Sequence, residues 1–105
     1  MPIAEVTVIP IGTGSTSLST YVADMQRVLE TVEGVTYELT SMGTIIEGPL
    51  QRILAAVEAL HESPFTNGAQ RVSTAVKIDD RRDKPSSSKS KLESVERKLH
   101  ADPAE

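Results

Sequence analysis

The chain has 105 residues, no cysteine, 3% aromatic residues and a formal net charge of −4 at pH 7. This length suits one domain, the missing cysteines exclude disulfides and thiolate zinc sites, and the lack of a basic stripe argues against nucleic acid as a partner. The N-terminus lacks the pattern of a signal peptide and no apolar run approaches the ~20 residues of a membrane span, so we expect a cytoplasmic protein without a membrane partner.

The first two predicted elements are a strand and a helix. β-branched residues predict a strand over residues 3–9. Apolar residues then recur every three or four positions over residues 18–32, which indicates one face of an amphipathic helix. Ser15 or Ser17 can cap the start of this helix, and Gly34 lies where a C′ glycine belongs.

A hairpin and a second helix are expected next. Alternating residues predict strands over residues 35–40 and 44–47, joined by a tight connection in which Gly43 is the turn glycine. Pro49 suits the first turn of the following helix, and a Ser-Pro pair at residues 63–64 should end it. The predicted buried face of this helix consists of Leu50, Ile53, Leu54, Val57 and Leu60.

The chain then continues with a strand, a charged linker and a short helix. The strand is expected over residues 71–78. We divide the chain into a folded domain over residues 1–79, a polar linker over residues 80–90, and a C-terminal helix and tail over residues 91–105. The helix is predicted from apolar residues at helical spacing, namely Leu92, Val95 and Leu99.

The element order β-α-β-β-α-β predicts the fold. With right-handed crossovers it gives an α+β, ferredoxin-like sandwich: a four-stranded antiparallel sheet with two helices on one face, plus the short C-terminal helix. Apolar residues occur at both even and odd positions of the strands, and therefore on both faces of the sheet. In the first strand, Val6 and Val8 lie on one face, and Ile3 and Ile9 lie on the other. A sheet that is apolar on both faces needs a second cover, and another copy of the chain is the simplest source, so we expect self-association.

Two polar, glycine-containing segments connect these elements, over residues 9–19 and 37–48. They are rich in hydroxyls and contain the carboxylates of Glu38 and Glu47, but no cysteine, histidine or basic residue. Such groups can hold a small polar ligand by hydrogen bonds and are poorly equipped to break covalent bonds. We therefore expect a binding protein rather than an enzyme, with neither a cofactor nor a metal site.

Residues 14–19, residues 37–48 and the strand that begins at Arg71 resemble the YkoF-like thiamine-binding family of small proteins. The resemblance covers roughly residues 3–79, and residues 42–47 are its most specific part. It implies a ferredoxin-like ligand-binding domain and association into dimers or tetramers through sheets. It further implies binding of thiamine, or of its hydroxymethylpyrimidine portion, without an established catalytic activity.

The resemblance also implies the ligand-binding residues. Glu47 is the candidate partner of the pyrimidine amine or of the thiazolium cation, because a carboxylate accepts hydrogen bonds and attracts positive charge. Its alternative role is to favour the N-terminus of the following helix. Tyr37 would offer a ring face, Met42 and Ile46 apolar walls, and the hydroxyls polar contacts. The full candidate set is Thr13, Ser15, Thr16, Ser17, Tyr37, Met42, Gly43, Thr44, Ile46 and Glu47.

Two other functions stay open beside the carriage, storage or sensing of thiamine. A small ferredoxin-like enzyme acting on a phosphorylated or aromatic metabolite would need groups that the chain lacks. The loop over residues 12–19 has no arginine, tryptophan is absent, and His61 and His100 are badly placed. The other alternative is a ligand-free oligomeric interaction module, whose loops only determine assembly.

Overall fold

Four strands and three helices make up residues 1–83 and 87–100, the part of the chain that our computed structural model describes. They are β1 (Ile3–Pro10), α1 (Ser19–Leu29), β2 (Thr36–Thr40), β3 (Gly43–Glu47), α2 (Leu50–Thr66), β4 (Val72–Asp79) and α3 (Ser88–Leu99). The strands form one antiparallel sheet in the order β2-β3-β1-β4. The predicted ferredoxin-like fold with an added C-terminal helix is thereby confirmed.

Strand alternation divides the sheet into a buried face and an open one. Residues that face α1 and α2 form the core together with the inner sides of those helices. The buried core consists of Ala4, Val6, Met25, Leu29, Ile46, Ile53, Ala56 and Leu60. The opposite side of the sheet, which we call the open face, carries Ile3, Ile9 and Ile45 among charged residues such as Glu5 and Lys77.

The start of α1 differs from the prediction. Leu18 occupies the N-cap position and no side chain caps the helix, so the predicted caps at Ser15 and Ser17 are wrong. The hydroxyl of Ser15 instead accepts a hydrogen bond from the backbone N–H of Ser17 at 3.1 Å. A side chain that bonds inside its own loop cannot also reach the first turn of the helix.

The end of α1 also comes earlier than expected. The helix ends at Leu29, because Thr31 and Val32 donate to carbonyls three residues back, at 3.0 and 3.1 Å, instead of four. Gly34 therefore lies beyond the C′ position. Its φ of +84° makes the turn into β2, a conformation that suits glycine.

Helix α2 continues through the proline that was expected to end it. Pro64 lies inside the helix, which runs to Thr66, and Pro49 occupies the N-cap position. The Pro64 carbonyl accepts from the backbone N–H groups of Asn67 and Ala69 at 3.1 and 2.9 Å. A proline in the last turn removes one helical hydrogen bond, and its burial against the core offsets that loss.

The predicted buried face of α2 is wrong at Leu54, whose side chain is 50% exposed. Leu54 lies seven residues before His61, so the two share one side of the helix. That side is directed toward β4, because His61 Nδ1 lies 2.7 Å from Thr74 Oγ1. Leu54 therefore borders the core at the β4 side of the sheet instead of entering it.

A glycine is required at position 43 because β1 passes very close to this residue, and not because the chain turns there. It is the first residue of β3, and its φ is not among the positive values of the chain. A Cβ atom on Gly43 would lie 2.9 Å from the Val6 carbonyl oxygen and 3.0 Å from Thr7 Oγ1. The absent side chain thus lets the β2–β3 hairpin close onto β1, and the predicted role as a turn glycine is wrong.

Helix α3 follows β4 and borders the sheet without packing into the core. Its start is fixed by a capping box in which Ser87 and Ser90 bond each other's backbone N–H groups. The helix begins at Ser88, within the predicted linker. Residues 84–86 of that linker and residues 101–105 of the predicted tail lie outside the described residues.

The ion pair that joins α3 to the domain is exposed to solvent. Lys91 forms an ion pair with Asp79 at the end of β4. The apolar side chains of α3 are more than half exposed, namely Leu92 at 69%, Val95 at 56% and Leu99 at 71%. The helix therefore adds little to the core of this chain, and the division into domain, linker and tail stays a prediction.

Replacing Gly43 by alanine should destabilise the fold by about 1–3 kcal/mol, because the new methyl group meets a backbone oxygen that cannot move freely. Urea unfolding followed by circular dichroism measures the change. Ser41→Ala, in the exposed turn of the same hairpin, should stay within about 0.5 kcal/mol. Equal stability of Gly43→Ala and the natural protein would contradict this account of the hairpin.

A chain truncated after Asp79 should stay folded, since the four strands and two packed helices are then complete. Loss of the Lys91–Asp79 pair costs about 0–1 kcal/mol, because both side chains are half exposed. Thermal melting by circular dichroism provides the measurement. An unfolded truncated chain would show instead that α3 belongs to the core or to a subunit interface.

Candidate functional site

A cavity of about 290 Å³ lies between α1 and the β2–β3 hairpin. We call it the α1–hairpin cavity. Its walls are residues 6–8 of β1, residues 39–44 of the hairpin, and Leu60 of α2. The side facing them consists of Leu18, Val22, Met25 and Gln26. Its volume is near the lower limit of about 300 Å³ for small-molecule pockets.

The cavity exists because β1 is longer than its neighbour. β1 has eight residues but pairs with β3 only from Ile3 to Val6. Beyond that point the hairpin turn lies beside β1, while α1 passes above both. The missing length of β3 leaves a space that is closed from above by the side chains of α1.

A hydrogen bond between two side chains forms the polar part of the cavity. Gln26 Nε2 donates to Thr44 Oγ1 at 3.2 Å, and Thr44 is only 6% exposed. A primary amide has two N–H donors and a carbonyl acceptor, and this bond uses one donor. The Gln26 amide can thus offer both a donor and an acceptor to a ligand.

Hydroxyl groups hold the hairpin wall in place. Thr40 Oγ1 donates to the Gly43 carbonyl at 2.9 Å and accepts from the Met42 N–H at 3.3 Å. Thr7 Oγ1 donates to the Met42 carbonyl at 3.3 Å. These bonds fix the turn while the Met42 side chain, 82% exposed, stays free to lie against a bound molecule.

Apolar side chains and neutral polar groups make up the rest of the lining. Among the described residues that line the cavity, none carries a charged or imidazole side chain. A cavity of this kind favours a neutral, flat ligand with a few hydrogen-bonding groups. It offers no cation to a phosphate group and no acid or base for proton transfer.

The structure brings three of the predicted site residues into this cavity, namely Met42, Gly43 and Thr44. Ile46 is fully buried in the core, so the wall expected from it is part of the hydrophobic packing. The predicted loop residues Thr13, Ser15 and Thr16 line a shallow hollow next to the cavity, and Leu18 borders both. Ser17 lies in the same loop.

Two other predicted residues, Tyr37 and Glu47, lie elsewhere. Together with Glu38 and with Lys89 of α3 they line a second hollow of about 360 Å³ beside β2. Glu47 belongs there to the open face, whereas Tyr37 lies opposite Ile46, so its side chain belongs to the helix side of the sheet. Glu47 is three residues from Thr44 along one strand, and an odd separation places two side chains on opposite faces. The structure therefore does not bring Glu47 and Thr44 together within one chain.

Sequence reasoning missed Gln26, although a signal was present. Gln26 lies four residues after Val22 and three before Leu29, and so belongs to the inner side of α1. A polar residue on an otherwise apolar helix face needs a hydrogen-bond partner, and a cavity is one place where it finds one. Leu18, Val22 and Met25 also line the cavity, whereas the sequence indicated them only as part of one face of an amphipathic helix.

Neither a cluster of metal-ligating side chains nor a membrane-spanning helix occurs in residues 1–83 and 87–100. No group of three or more histidine, aspartate or glutamate side chains there could hold a metal ion. None of the helices within these residues is long and apolar enough to cross a bilayer.

Comparison with known proteins identifies the family. A family model described as thiamine-binding protein matches residues 4–96. The chain belongs to the thiamine-binding protein family. The match includes all residues of the α1–hairpin cavity and most of α3, and it confirms the resemblance read from the sequence.

Close relatives occur in bacteria and archaea. The UPF0045 protein YqgV of Bacillus subtilis is 52% identical over 102 residues, which cover 94% of this chain and 98% of the relative. A UPF0045 protein of Methanothermobacter thermautotrophicus is 47% identical over 97 residues, covering 91% and 97%. The crystal structure of MJ1052 from Methanocaldococcus jannaschii superimposes with a TM-score of 0.80 at 36% identity, covering 90% and 95%.

Proposed function

We propose that the α1–hairpin cavity binds thiamine through its hydroxymethylpyrimidine portion, and that the protein carries, stores or senses this compound without transforming it. The observation that carries the proposal is the Gln26–Thr44 pair, a hydrogen-bonding group in a mostly apolar cavity whose described lining residues carry no charge. Membership in the thiamine-binding protein family supports the choice of ligand.

The chemistry of Gln26 matches an aminopyrimidine. The ring presents an exocyclic amine next to a ring nitrogen, which is a donor beside an acceptor. A glutamine amide pairs with such an edge through its carbonyl and an N–H, as it does with the edge of adenine. Thr44 holds the amide in place, and Met25, Leu39 and Met42 provide the apolar surfaces between which the flat ring lies.

The absence of charge determines how the rest of thiamine is placed. The thiazolium cation gains nothing from an uncharged apolar wall, because burial without a counter-charge is costly. We infer that the pyrimidine enters the cavity while the thiazolium and any phosphate stay at the mouth. In this arrangement Gln26 takes the contact with the amine that the sequence assigned to Glu47.

A non-catalytic role agrees with the same lining. Covalent or acid–base catalysis needs a group that accepts or donates a proton near pH 7, or an activated nucleophile. The threonine and serine hydroxyls of the cavity have no described histidine, carboxylate or lysine beside them in the lining to activate them. The cytoplasmic location stays a prediction.

Calorimetric titration with hydroxymethylpyrimidine and with thiamine tests this proposal. Gln26→Leu removes the amide but keeps the volume, and should weaken binding roughly 5- to 150-fold, as expected for two lost hydrogen bonds of about 0.5–1.5 kcal/mol each. Glu47→Gln, a nearly isosteric change at the open face, is the matched control and should leave the affinity unchanged. Melting temperatures of both variants exclude unfolding as the cause.

Two results would contradict the proposal. If neither compound binds the natural protein at millimolar concentration, the cavity has another ligand or none. If Glu47→Gln weakens binding while Gln26→Leu does not, the ligand lies in the second hollow, as the sequence alone had suggested.

We also propose that a second copy covers the open face. Ile9 is 44% exposed there, and Ile3 and Ile45 lie half-buried nearer the other end of the same face. The apolar side of α3 borders the same face at Leu92. Covering both with another chain would remove these apolar groups from water.

Light scattering at micromolar protein concentration should therefore give a mass of at least twice the 11.3 kDa of one chain. Charged substitutions at Ile3 and Ile45 should lower that mass, since they place a charge in the proposed contact. Threonine at the same positions, similar in shape to isoleucine's β-branch, serves as the milder control. If the natural protein is a stable monomer under these conditions, this proposal is wrong.

A further inference from the structure

Each side chain of the Gln26–Thr44 pair is able to act both as a donor and as an acceptor. The Gln26 amide ends in an amino group and a carbonyl oxygen, and the Thr44 hydroxyl has a hydrogen as well as lone pairs. In the structure Gln26 Nε2 donates to Thr44 Oγ1 at 3.2 Å. If the amide turns by half a rotation about its last bond, Oε1 takes the place of Nε2. The hydroxyl then donates instead of accepting, and the bond between the two side chains is kept.

The surroundings favour neither of these two orientations strongly. Within residues 1–83 and 87–100, the bond to Thr44 is the only hydrogen bond of the Gln26 side chain, so no group holds Oε1 where it lies. The described residues that line the cavity carry no charge that would orient the amide dipole. The last torsion of a glutamine is broad and roughly twofold, so half a rotation costs little. An aspartate in place of Thr44 would lock the amide, because an ionised carboxylate only accepts.

The two orientations present opposite hydrogen-bonding patterns to a ligand. In the structure the amide group next to Thr44 donates and the group farther from Thr44 accepts. This pattern fits an aminopyrimidine edge, where a ring nitrogen accepts and the exocyclic amine donates. After half a rotation the nearer group accepts and the farther group donates. That pattern fits an oxopyrimidine edge, where the ring nitrogen carries a hydrogen and a carbonyl replaces the amine.

We propose that the α1–hairpin cavity binds oxopyrimidines as well as aminopyrimidines, with the Gln26 amide turned by half a rotation between the two complexes. The inference rests on the proposed function, because it uses the same cavity and the same contact. It extends the ligand class to the oxo counterpart of hydroxymethylpyrimidine, the compound formed when water displaces ammonia from the ring. The two compounds then compete for one site.

The apolar walls do not distinguish the two pyrimidines. Met25, Leu39 and Met42 offer their surfaces to the faces of the ring, and the two rings differ only at one edge. Both rings are flat, nearly equal in size and largely uncharged near pH 7. Discrimination between them therefore depends on the Gln26 amide alone, and an amide that turns removes it.

Calorimetric titration of the natural protein with hydroxymethylpyrimidine and with its oxo counterpart tests this inference. We expect dissociation constants within about tenfold of each other, because each ligand forms two hydrogen bonds with the amide. A locked amide would set donor against donor and acceptor against acceptor, and would weaken binding of the oxo compound by much more than about tenfold. If only the oxo compound fails this limit, the inference is wrong and the proposed function stands. If neither compound binds, both are wrong.

Gln26→Glu provides a variant whose side chain cannot exchange its donor and acceptor, since both oxygens of an ionised carboxylate accept. Hydroxymethylpyrimidine can still match it, because its ring nitrogen takes up a proton and then donates beside the amine. The oxo compound cannot, since its carbonyl always faces a carboxylate oxygen. Its affinity relative to hydroxymethylpyrimidine should therefore fall by about tenfold or more. Gln26→Leu, without a polar edge, is the control and should weaken both ligands similarly. An unchanged ratio in folded Gln26→Glu would overturn the inference.

Nuclear Overhauser contacts show directly which end of the amide lies next to Thr44. With hydroxymethylpyrimidine bound, the Nε2 hydrogens of Gln26 should contact the Thr44 side chain. With the oxo compound bound this contact should weaken, because Oε1 has taken that place. The γ-methylene hydrogens of Gln26 do not move in the half rotation and serve as the reference. If both ligands bind and the Nε2 contacts are the same, the ring has turned over instead of the amide, and the inference is wrong.

Discussion

The unequal lengths of two neighbouring strands are the constraint on which the candidate site depends. β1 continues for four residues past its pairing with β3, and Gly43 lets the hairpin close tightly onto β1 at the point where the pairing stops. Since α1 must cross above this step to reach the core, a space remains beneath it. The fold thus builds a cavity from strand length, before any particular side chain is considered.

The side chains then decide what this space can hold. Most of the lining is apolar, and a polar pair in such surroundings is stable only when it is hydrogen-bonded. The bond between Gln26 and Thr44 meets that need and leaves the amide able to bond a ligand. Because charges are absent from the described lining, recognition must come from the direction of neutral hydrogen bonds and from the fit of a flat ring.

The sequence predicted the fold well because periodicity reports which side of an element is buried. It failed where local rules compete with packing: Pro64 stays helical because the core holds it, and Leu54 is exposed because it faces the sheet edge. The site was harder to predict. A continuous motif groups Thr44 with Glu47, but strand alternation separates their side chains, while Gln26 comes from a distant helix that only the fold brings near.

The most direct test of the central claim is a nuclear magnetic resonance titration with hydroxymethylpyrimidine. It reports on each amide separately and does not require a substitution. The account predicts that the Gln26 side-chain amide and the backbone N–H of Thr44 and Met42 shift most, with the open face unchanged. Shifts centred on Glu47 and Lys89, with Gln26 unaffected, would contradict it.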